Sequence, residues 1–316
     1  MKRLLITGSV GQIGSELTLV LRNRFGSENV IAGGNKTQPS EELRNSGPFE
    51  IVDCTNIDAI NDVVKKYKID TIFHLASLLS AVAENNPPLA WNVNVNSLVN
   101  VLEVSRERNC AVFMPSSIGA FGPTTPLDNT PQVTIQRPTS IYGVTKVSAE
   151  LLCDYYFHKY AVDVRGLRYP GIISHVTPPG GGTTDYAVEI FYHALKEKKY
   201  SCFLKEGTKL DMMYMPDAIK SAIDVMEADP GKLIHRNAFN VSAMSFAPED
   251  IYAEIKKVIP EFTMDYDIDS LRQGIADSWP NYMDDSAARE EWGWKPDFDL
   301  PMMVKDMLEN IVRKNL

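Results

Sequence analysis

The seven residues Gly8-Ser9-Val10-Gly11-Gln12-Ile13-Gly14 constrain this chain more than any others. They follow directly on the apolar run Leu4-Leu5-Ile6 and Thr7, and they open an amphipathic stretch over 15–25. A short apolar run, a glycine-rich turn and a helical pattern, in that order, read as strand, tight turn and helix. The three glycines serve different ends. Gly8 permits the turn, Gly11 lets main chain approach a pyrophosphate, and Gly14 lets helix and strand pack closely. The first N–H groups of the helix, those of Gln12 and Ile13, lack acceptors within it and sit at the positive end of its dipole. Spacing and position together point to a bound dinucleotide phosphate. The alternative is a glycine turn of purely structural use.

The alternation continues. Apolar runs at Val30-Ile31-Ala32, 71–75, 111–114 and 164–168 read as strands, and 58–66, 89–108 and 142–160 carry helical patterns. Strand and helix in turn imply a parallel sheet covered on both faces. After Pro170 the pattern loosens, and Pro178-Pro179-Gly180-Gly181-Gly182 can continue neither a helix nor a central strand; it reads as an active-site loop leading into a second lobe. The expected fold class is α/β: a Rossmann-like doubly wound parallel sheet with a smaller C-terminal substrate lobe. Residues 1–170 form the dinucleotide-binding core, 216–242 return to it, and 171–215 with 243–316 make the substrate-binding lobe.

Composition excludes several partners. The chain of 316 residues is 44% hydrophobic and 23% charged, ordinary for a globular protein, and its formal net charge is −9. An acidic surface repels phosphate backbones and anionic lipid, so neither nucleic acid nor membrane is expected as a partner. No apolar run reaches the length of a membrane span. Cys54, Cys110, Cys153 and Cys202 are scattered without a C-x-x-C pair, so no metal site or redox motif is expected, and the thiols read as reduced and structural. The opening Met1-Lys2-Arg3-Leu4-Leu5-Ile6 is too short before the first glycine for a secretory segment, and the expected compartment is the cytoplasm or the mitochondrial matrix.

The end of the second strand, Ala32-Gly33-Gly34-Asn35-Lys36, lacks the carboxylate that would bind an adenosine ribose. Asn35 suits a ribose hydroxyl, whereas Lys36 would suit a 2′-phosphate; NAD is the expected cofactor and NADP the alternative. Asp53 either reaches the adenine amino group or belongs to the cap region of the helix that follows.

Tyr142 and Lys146 stand four apart, on one face of a helix. Tyrosine is a poor base at neutral pH unless a neighbouring cation favours its phenolate; with a lysine one turn away and an oxidised nicotinamide nearby, it can take an alcohol's proton as hydride leaves for the cofactor. Pro115-Ser116-Ser117 follows the strand at 111–114, so these hydroxyls emerge at a strand's carboxyl end, where open α/β sheets bind ligands. Ser117 is placed to orient the substrate oxygen toward Tyr142. The plainer alternative is a serine pair satisfying turn backbone.

Thr7-Gly8-x-x-Gly11-x-x-Gly14, His74-Leu75-Ala76, Ser116-Ser117 and Tyr142-x-x-x-Lys146 together resemble the extended short-chain dehydrogenase/reductase family, over essentially the whole chain. The resemblance implies catalytic Ser117, Tyr142 and Lys146, with Asn94 supporting the lysine. It also implies cofactor contacts at Leu75 and Ala76, and Pro170 packed beside the nicotinamide. Within that family, Arg168-Tyr169-Pro170-Gly171-Ile172-Ile173-Ser174, the Pro178–Gly182 segment with Thr183-Thr184-Asp185-Tyr186-Ala187, and Met212-Met213-Tyr214-Met215-Pro216-Asp217-Ala218 resemble the threonine 3-dehydrogenases. By that resemblance L-threonine is oxidised by NAD to 2-amino-3-oxobutyrate, with Ser80, Ser116, Ser117, Tyr142, Gly182, Thr183 and Thr184 as substrate contacts and Trp279 closing the pocket; for Trp279 the alternative is lobe packing. Nucleotide-sugar members carry an arginine before the residue matching Asp211, where this chain has Leu210.

The stripes Val93, Leu98, Leu102 and Leu151, Leu152, Tyr155 supply core packing on one face of their helices. The resemblance implies that the outer faces pair in a homodimer through a four-helix bundle. Two rivals remain open: a nucleotide-sugar epimerase or dehydratase of the same family, and a protein that senses a dinucleotide without chemistry.

Overall fold

The computed structural model describes residues 1–178 and 182–315. Pro179, Gly180 and Gly181 of the expected active-site loop lie outside the described residues. The chain divides into two units, one of Met1–Ala120, Pro138–Arg168 and Ile219–Phe239, the other of Phe121–Arg137, Tyr169–Ala218 and Asn240–Leu316. The expected boundaries put 121–137 in the first unit; it clusters with the second.

The first unit runs β1 (Leu4–Thr7), α1 (Gln12–Phe25), β2 (Val30–Gly34), α2 (Glu41–Asn45), β3 (Phe49–Ile51), α3 (Ile57–Tyr67), β4 (Thr71–His74), α4 (Ser80–Asn85), α5 (Pro87–Trp91), α6 (Ser97–Arg108), β5 (Ala111–Ser117), α7 (Ile141–Tyr160) and β6 (Val164–Tyr169). The sheet has seven strands in the order Phe239–Asn240, β6, β5, β4, β1, β2, β3. Neighbours β3–β2, β2–β1, β1–β4 and β4–β5 are parallel. This is a Rossmann-like α/β sheet, and its order reverses between β1 and β4, the point at which such sheets bind ligands.

All four residues of β1 and of β4 are buried, as expected where helices cover both faces. On one face, Leu5, Ile31, Ile72 and Val112 of the strands meet Leu98 and Leu102 of α6 and Ala149 and Cys153 of α7. Each such side chain contributes roughly 1.5–3 kcal/mol by leaving water. Cys54, Cys110 and Cys153 are buried in this layer, and burial raises each thiol pKa, Cys54 to about 12 and Cys110 to about 11.

The long helix expected over 89–108 is present and runs unbroken from 87 to 108, with one π-helical turn inside it. After α5 the chain makes a π-helical turn, Asn92–Asn96, before α6 begins. Strand β5, expected to stop at Met114, runs on through Pro115 to Ser117. Proline is tolerated there because β4 pairs with β5 only as far as Phe73 and Phe113.

The second unit has its own core, in which Tyr186, Phe191, Tyr214, Phe246, Phe262 and Met307 are fully or almost fully buried. A three-stranded sheet places Leu210–Tyr214 between Gly171–Ile173 and Met244–Phe246. Segment 121–137 is tied into this unit by main chain: Asn281 and Asp284 donate their amides to the carbonyls of Leu127 and Thr130 at 2.8 and 3.0 Å. Among the described residues no helix is long and apolar enough to cross a membrane.

Candidate active site

The turn after β1 is shaped by what stands next to it. Gly8 has φ +70°, and a Cβ there would lie 2.6 Å from the Ala76 amide nitrogen and 2.7 Å from the Leu75 carbonyl carbon. Leu75 and Ala76 therefore pass directly over the glycine turn, at the sheet's point of reversal. A Cβ on Gly14 would collide with the Gly8 carbonyl, so that glycine is required for the strand–turn–helix itself. Gly11 differs: among the described residues its Cβ would meet, within 4 Å, only the Gly8 oxygen, at 3.3 Å. Gly11 is also the N-cap of α1, and no side chain caps the helix. The cradle is thus open where Gly11, Gln12 and Ile13 present main chain at the positive end of α1, and it fits a pyrophosphate.

Beyond β2, Asn35 and Lys36 are exposed and lie beside Asp53. The Asp53 carboxylate accepts from the Thr55 hydroxyl at 2.7 Å and the Thr55 amide at 2.9 Å. These bonds hold its carboxyl below the usual range, with Lys36 and Asn35 adding to the effect. A carboxylate beside Lys36 offsets the charge that would favour a 2′-phosphate.

His74 ends β4 beneath the turn. Its Nδ1 lies 2.8 Å from the Thr7 hydroxyl and its Nε2 3.1 Å from that of Ser97. Ser97 donates its own proton to the Val93 carbonyl, so His74 donates through Nε2 and accepts from Thr7 at Nδ1, a neutral imidazole. Complete burial, with the Lys146 charge adding, lowers its pKa to about 3.

Tyr142 and Lys146 lie on α7, which Ser140 caps by accepting the Gly143 amide at 3.1 Å. The Lys146 ammonium stands 5.4 Å from the centre of the Tyr142 ring and donates to the Pro115 carbonyl at 2.8 Å. A Cβ on Gly119 would lie 3.2 Å from the Tyr142 ring and 3.5 Å from the Ser117 hydroxyl. Gly119 is the floor on which the ring rests, beside Ser117, whose Oγ accepts the Gly119 amide at 3.1 Å. Ser117, Tyr142 and Lys146 are brought together as expected.

Asn94 sits in the π-helical turn. Its Oδ1 accepts the Leu78 amide at 2.7 Å, and its Nδ2 donates to the Leu78 carbonyl and the Thr145 hydroxyl, each at 3.1 Å. Thr145 in turn donates to the Tyr142 carbonyl at 2.7 Å. Asn94 thus reaches the residue before Lys146.

Ser116 is corrected. Side chains alternate along a strand, so Ser116 and Ser117 face opposite ways. The Ser116 hydroxyl is buried and donates to Glu150, which is paired with Arg168 at 2.8 Å in the interior. It does not share the face of Ser117. Ser80 begins α4, half-buried.

The remaining expected residues lie in the second unit. Pro170 and Thr183 are buried, and Thr184 packs against Gly171. The Gly182 amide is used internally, donating to Asp185 at 2.7 Å. Trp279 packs on that unit's hydrophobic core, which fits the lobe-packing alternative. Sequence reading missed Glu84, Gly119 and Thr145 around the tyrosine. Thr145 lies inside the Tyr142–Lys146 spacing, but its partner is 51 residues away.

Residues 4–242 match the NAD dependent epimerase/dehydratase family. An uncharacterized epimerase/dehydratase of Staphylococcus saprophyticus is 53% identical, over 99% of this chain and 98% of its own. Among solved structures, L-threonine dehydrogenase from Clostridium difficile is 58% identical with a TM-score of 0.98, covering 99% of this chain and 98% of that one. A GalE-like L-threonine dehydrogenase from Cupriavidus necator, in its holo form, is 48% identical with a TM-score of 0.94, covering 98% and 99%. The cofactor is NAD.

Proposed function

We propose that this chain, which belongs to the NAD dependent epimerase/dehydratase family, oxidises the β-hydroxyl of L-threonine to give 2-amino-3-oxobutyrate, NADH and a proton. The observation that carries this reading is the gathering of Ser117, Tyr142 and Lys146 in a fold whose solved relatives at 58% and 48% identity are L-threonine dehydrogenases. Bound NAD supplies the acceptor for the hydride that leaves the carbinol carbon.

The chain's own groups manage the proton and the orientation. Tyr142 takes the hydroxyl proton. Lys146 holds its ammonium 5.4 Å from the centre of the Tyr142 ring, and its bond to Pro115 fixes it there. Ser117 holds the substrate oxygen. In the first unit Ser80 is the candidate contact for the charged ends of the amino acid. In the second unit Thr183 and Thr184 are candidates, and single alanine substitutions at each separate their contributions to KM.

Of the α7 stripe expected to pack the core, only Leu152 does so; Leu151 and Tyr155 lie exposed on the outer face of α7, at 63% and 51%. That supports a homodimer through a four-helix bundle of α6 and α7. Sedimentation at micromolar concentration tests it: a dimer broken by Leu151→Lys supports the bundle, and a monomeric wild type overturns it.

The deciding assay is absorbance at the NADH band. Purified protein is mixed with NAD or NADP and L-threonine, with L-serine and L-allo-threonine as controls. Reduction of NAD with L-threonine is expected. No reduction with any of these, despite bound dinucleotide, overturns the threonine reading and puts a nucleotide sugar in its place.

A further inference from the structure

We infer that Glu84 is a positioning residue, one that fixes the distance between the Ser80 segment and the catalytic tyrosine; the inference rests on the function proposed above. Glu84 stands near the end of α4, and its Oε1 accepts the amide of Ile141 at 2.7 Å, across 57 residues of sequence. Ile141 is the first residue of α7 and Tyr142 the second. The Ile141 amide belongs to the first turn, where a helix offers its own N–H groups no acceptor. Ser140 already satisfies Gly143, so the bond from Glu84 is additional to the ordinary cap.

The other end of the same segment is pinned as well. Asn94 takes both the amide and the carbonyl of Leu78, and its Nδ2 also reaches Thr145 on α7. Between the anchors at Leu78 and Glu84 lies Ser80, the candidate substrate hydroxyl. The stretch also packs, through α4, against α5 and α7. Ala83 is fully buried, but Leu79 and Val82 are 62% and 53% exposed. Both anchors lead to the helix of Tyr142 and Lys146: one through Thr145, the other through Ile141. Ser80 and Tyr142 are therefore set against each other by two hydrogen-bonded pins in addition to the packing of α4 on α7. Releasing one pin lets the substrate-holding segment drift from the base while the glycine cradle stays as it is.

The test compares Glu84→Ala with Glu84→Gln in the full-length protein. Glutamine keeps an acceptor oxygen where alanine has none. Glu84→Ala is expected to lose about tenfold in kcat/KM for L-threonine, since small misplacement of a reacting group has effects of that size or larger. NAD affinity and Tm should stay at the wild-type values, and Glu84→Gln should stay within about twofold of wild type in kcat/KM. Amide exchange followed by mass spectrometry gives a readout without substrate: Glu84→Ala should exchange faster over 79–85 and at the start of α7, and Glu84→Gln should not. Should the wild type fail to oxidise L-threonine, the exchange data still decide the role of Glu84. Wild-type kinetics and exchange in Glu84→Ala overturn the inference. So does a Glu84→Gln variant as impaired as Glu84→Ala, or a loss of Tm and NAD affinity in step with activity.

Discussion

The Lys146 ammonium donates to the Pro115 carbonyl at 2.8 Å, two residues before Ser117 on the same strand. One hydrogen bond thus couples the helix that carries Tyr142 to the strand that carries Ser117. Lys146→Ala removes this bond and the charge beside Tyr142 together. It is expected to lower kcat by roughly 10²–10⁴-fold, the range for losing proton-transfer assistance. Lys146→Arg should not restore it, because a planar guanidinium cannot replace a compact ammonium against one carbonyl. Steady-state kinetics on both variants check this.

Tyr142→Phe keeps the ring on Gly119 and removes only the hydroxyl. Turnover should disappear while NAD binding, read by titration calorimetry, stays nearly intact. Retained turnover, or lost NAD binding, would count against the role of Tyr142 as the base.

Two glycines of the cradle should fail in different ways. A Cβ on Gly14 runs into the Gly8 carbonyl and lies 2.9 Å from Ser9 Cα, so Gly14→Ala should lower Tm and NAD affinity together. A Cβ on Gly11 meets little protein, so Gly11→Ala should fold normally and yet bind NAD at least about tenfold more weakly, because the methyl occupies the approach to the pyrophosphate. Thermal melts paired with NAD titrations distinguish the two.

His74 gives stability a pH dependence of definite sign. Its folded pKa is lowered to about 3, against about 6.5 in an unfolded chain. Below pH 6.5 the unfolded chain takes up a proton that the folded chain refuses. The contribution is therefore complete above pH 6.5 and falls as pH drops toward 3. The loss from this one group is about 2 kcal/mol at pH 5. Urea unfolding at pH 7 and pH 5 measures it, and in His74→Asn the slope over that interval should flatten.

Ser116 and Glu150 should be matters of stability. Glu150→Ala removes the buried carboxylate paired with Arg168, at a cost of about 3–5 kcal/mol. Ser116→Ala removes one charge-assisted hydrogen bond, worth about 1.5–3 kcal/mol, and should leave KM for the substrate unchanged. A raised KM in Ser116→Ala with unchanged unfolding would return Ser116 to the substrate.

The glycine turn, the strand–helix alternation and the Ser117–Tyr142–Lys146 set were readable because each rests on local chemistry. Spacing of glycines, a period of four on a helix and the carboxyl end of a strand are all properties of neighbours in sequence. Strand alternation also separates Ser116 from Ser117 and was available from the same residues. The π-helical turn at Asn92–Asn96 was not, because it leaves the helical pattern in place and adds only a five-residue step, Val93 to Leu98, to the apolar stripe. Asn94 is held there by Leu78 and Thr145, the second of these 51 residues away. The move of 121–137 to the second unit depends on bonds to Asn240, Asn281 and Asp284, more than a hundred residues on. Glu84 was invisible for the same reason: its partner is a main-chain amide, which carries no sequence signature.

All four thiols are buried, Cys54, Cys110 and Cys153 in the first unit and Cys202 in the second. A maleimide or aryl disulfide can reach them only when the surrounding layer opens. The rate at which the native protein is alkylated is thus a clock for internal opening, and peptide mapping of the label times each unit separately. Ligands that steady the first unit should slow the label at Cys54 and Cys153 and leave the rate at Cys202 as it was.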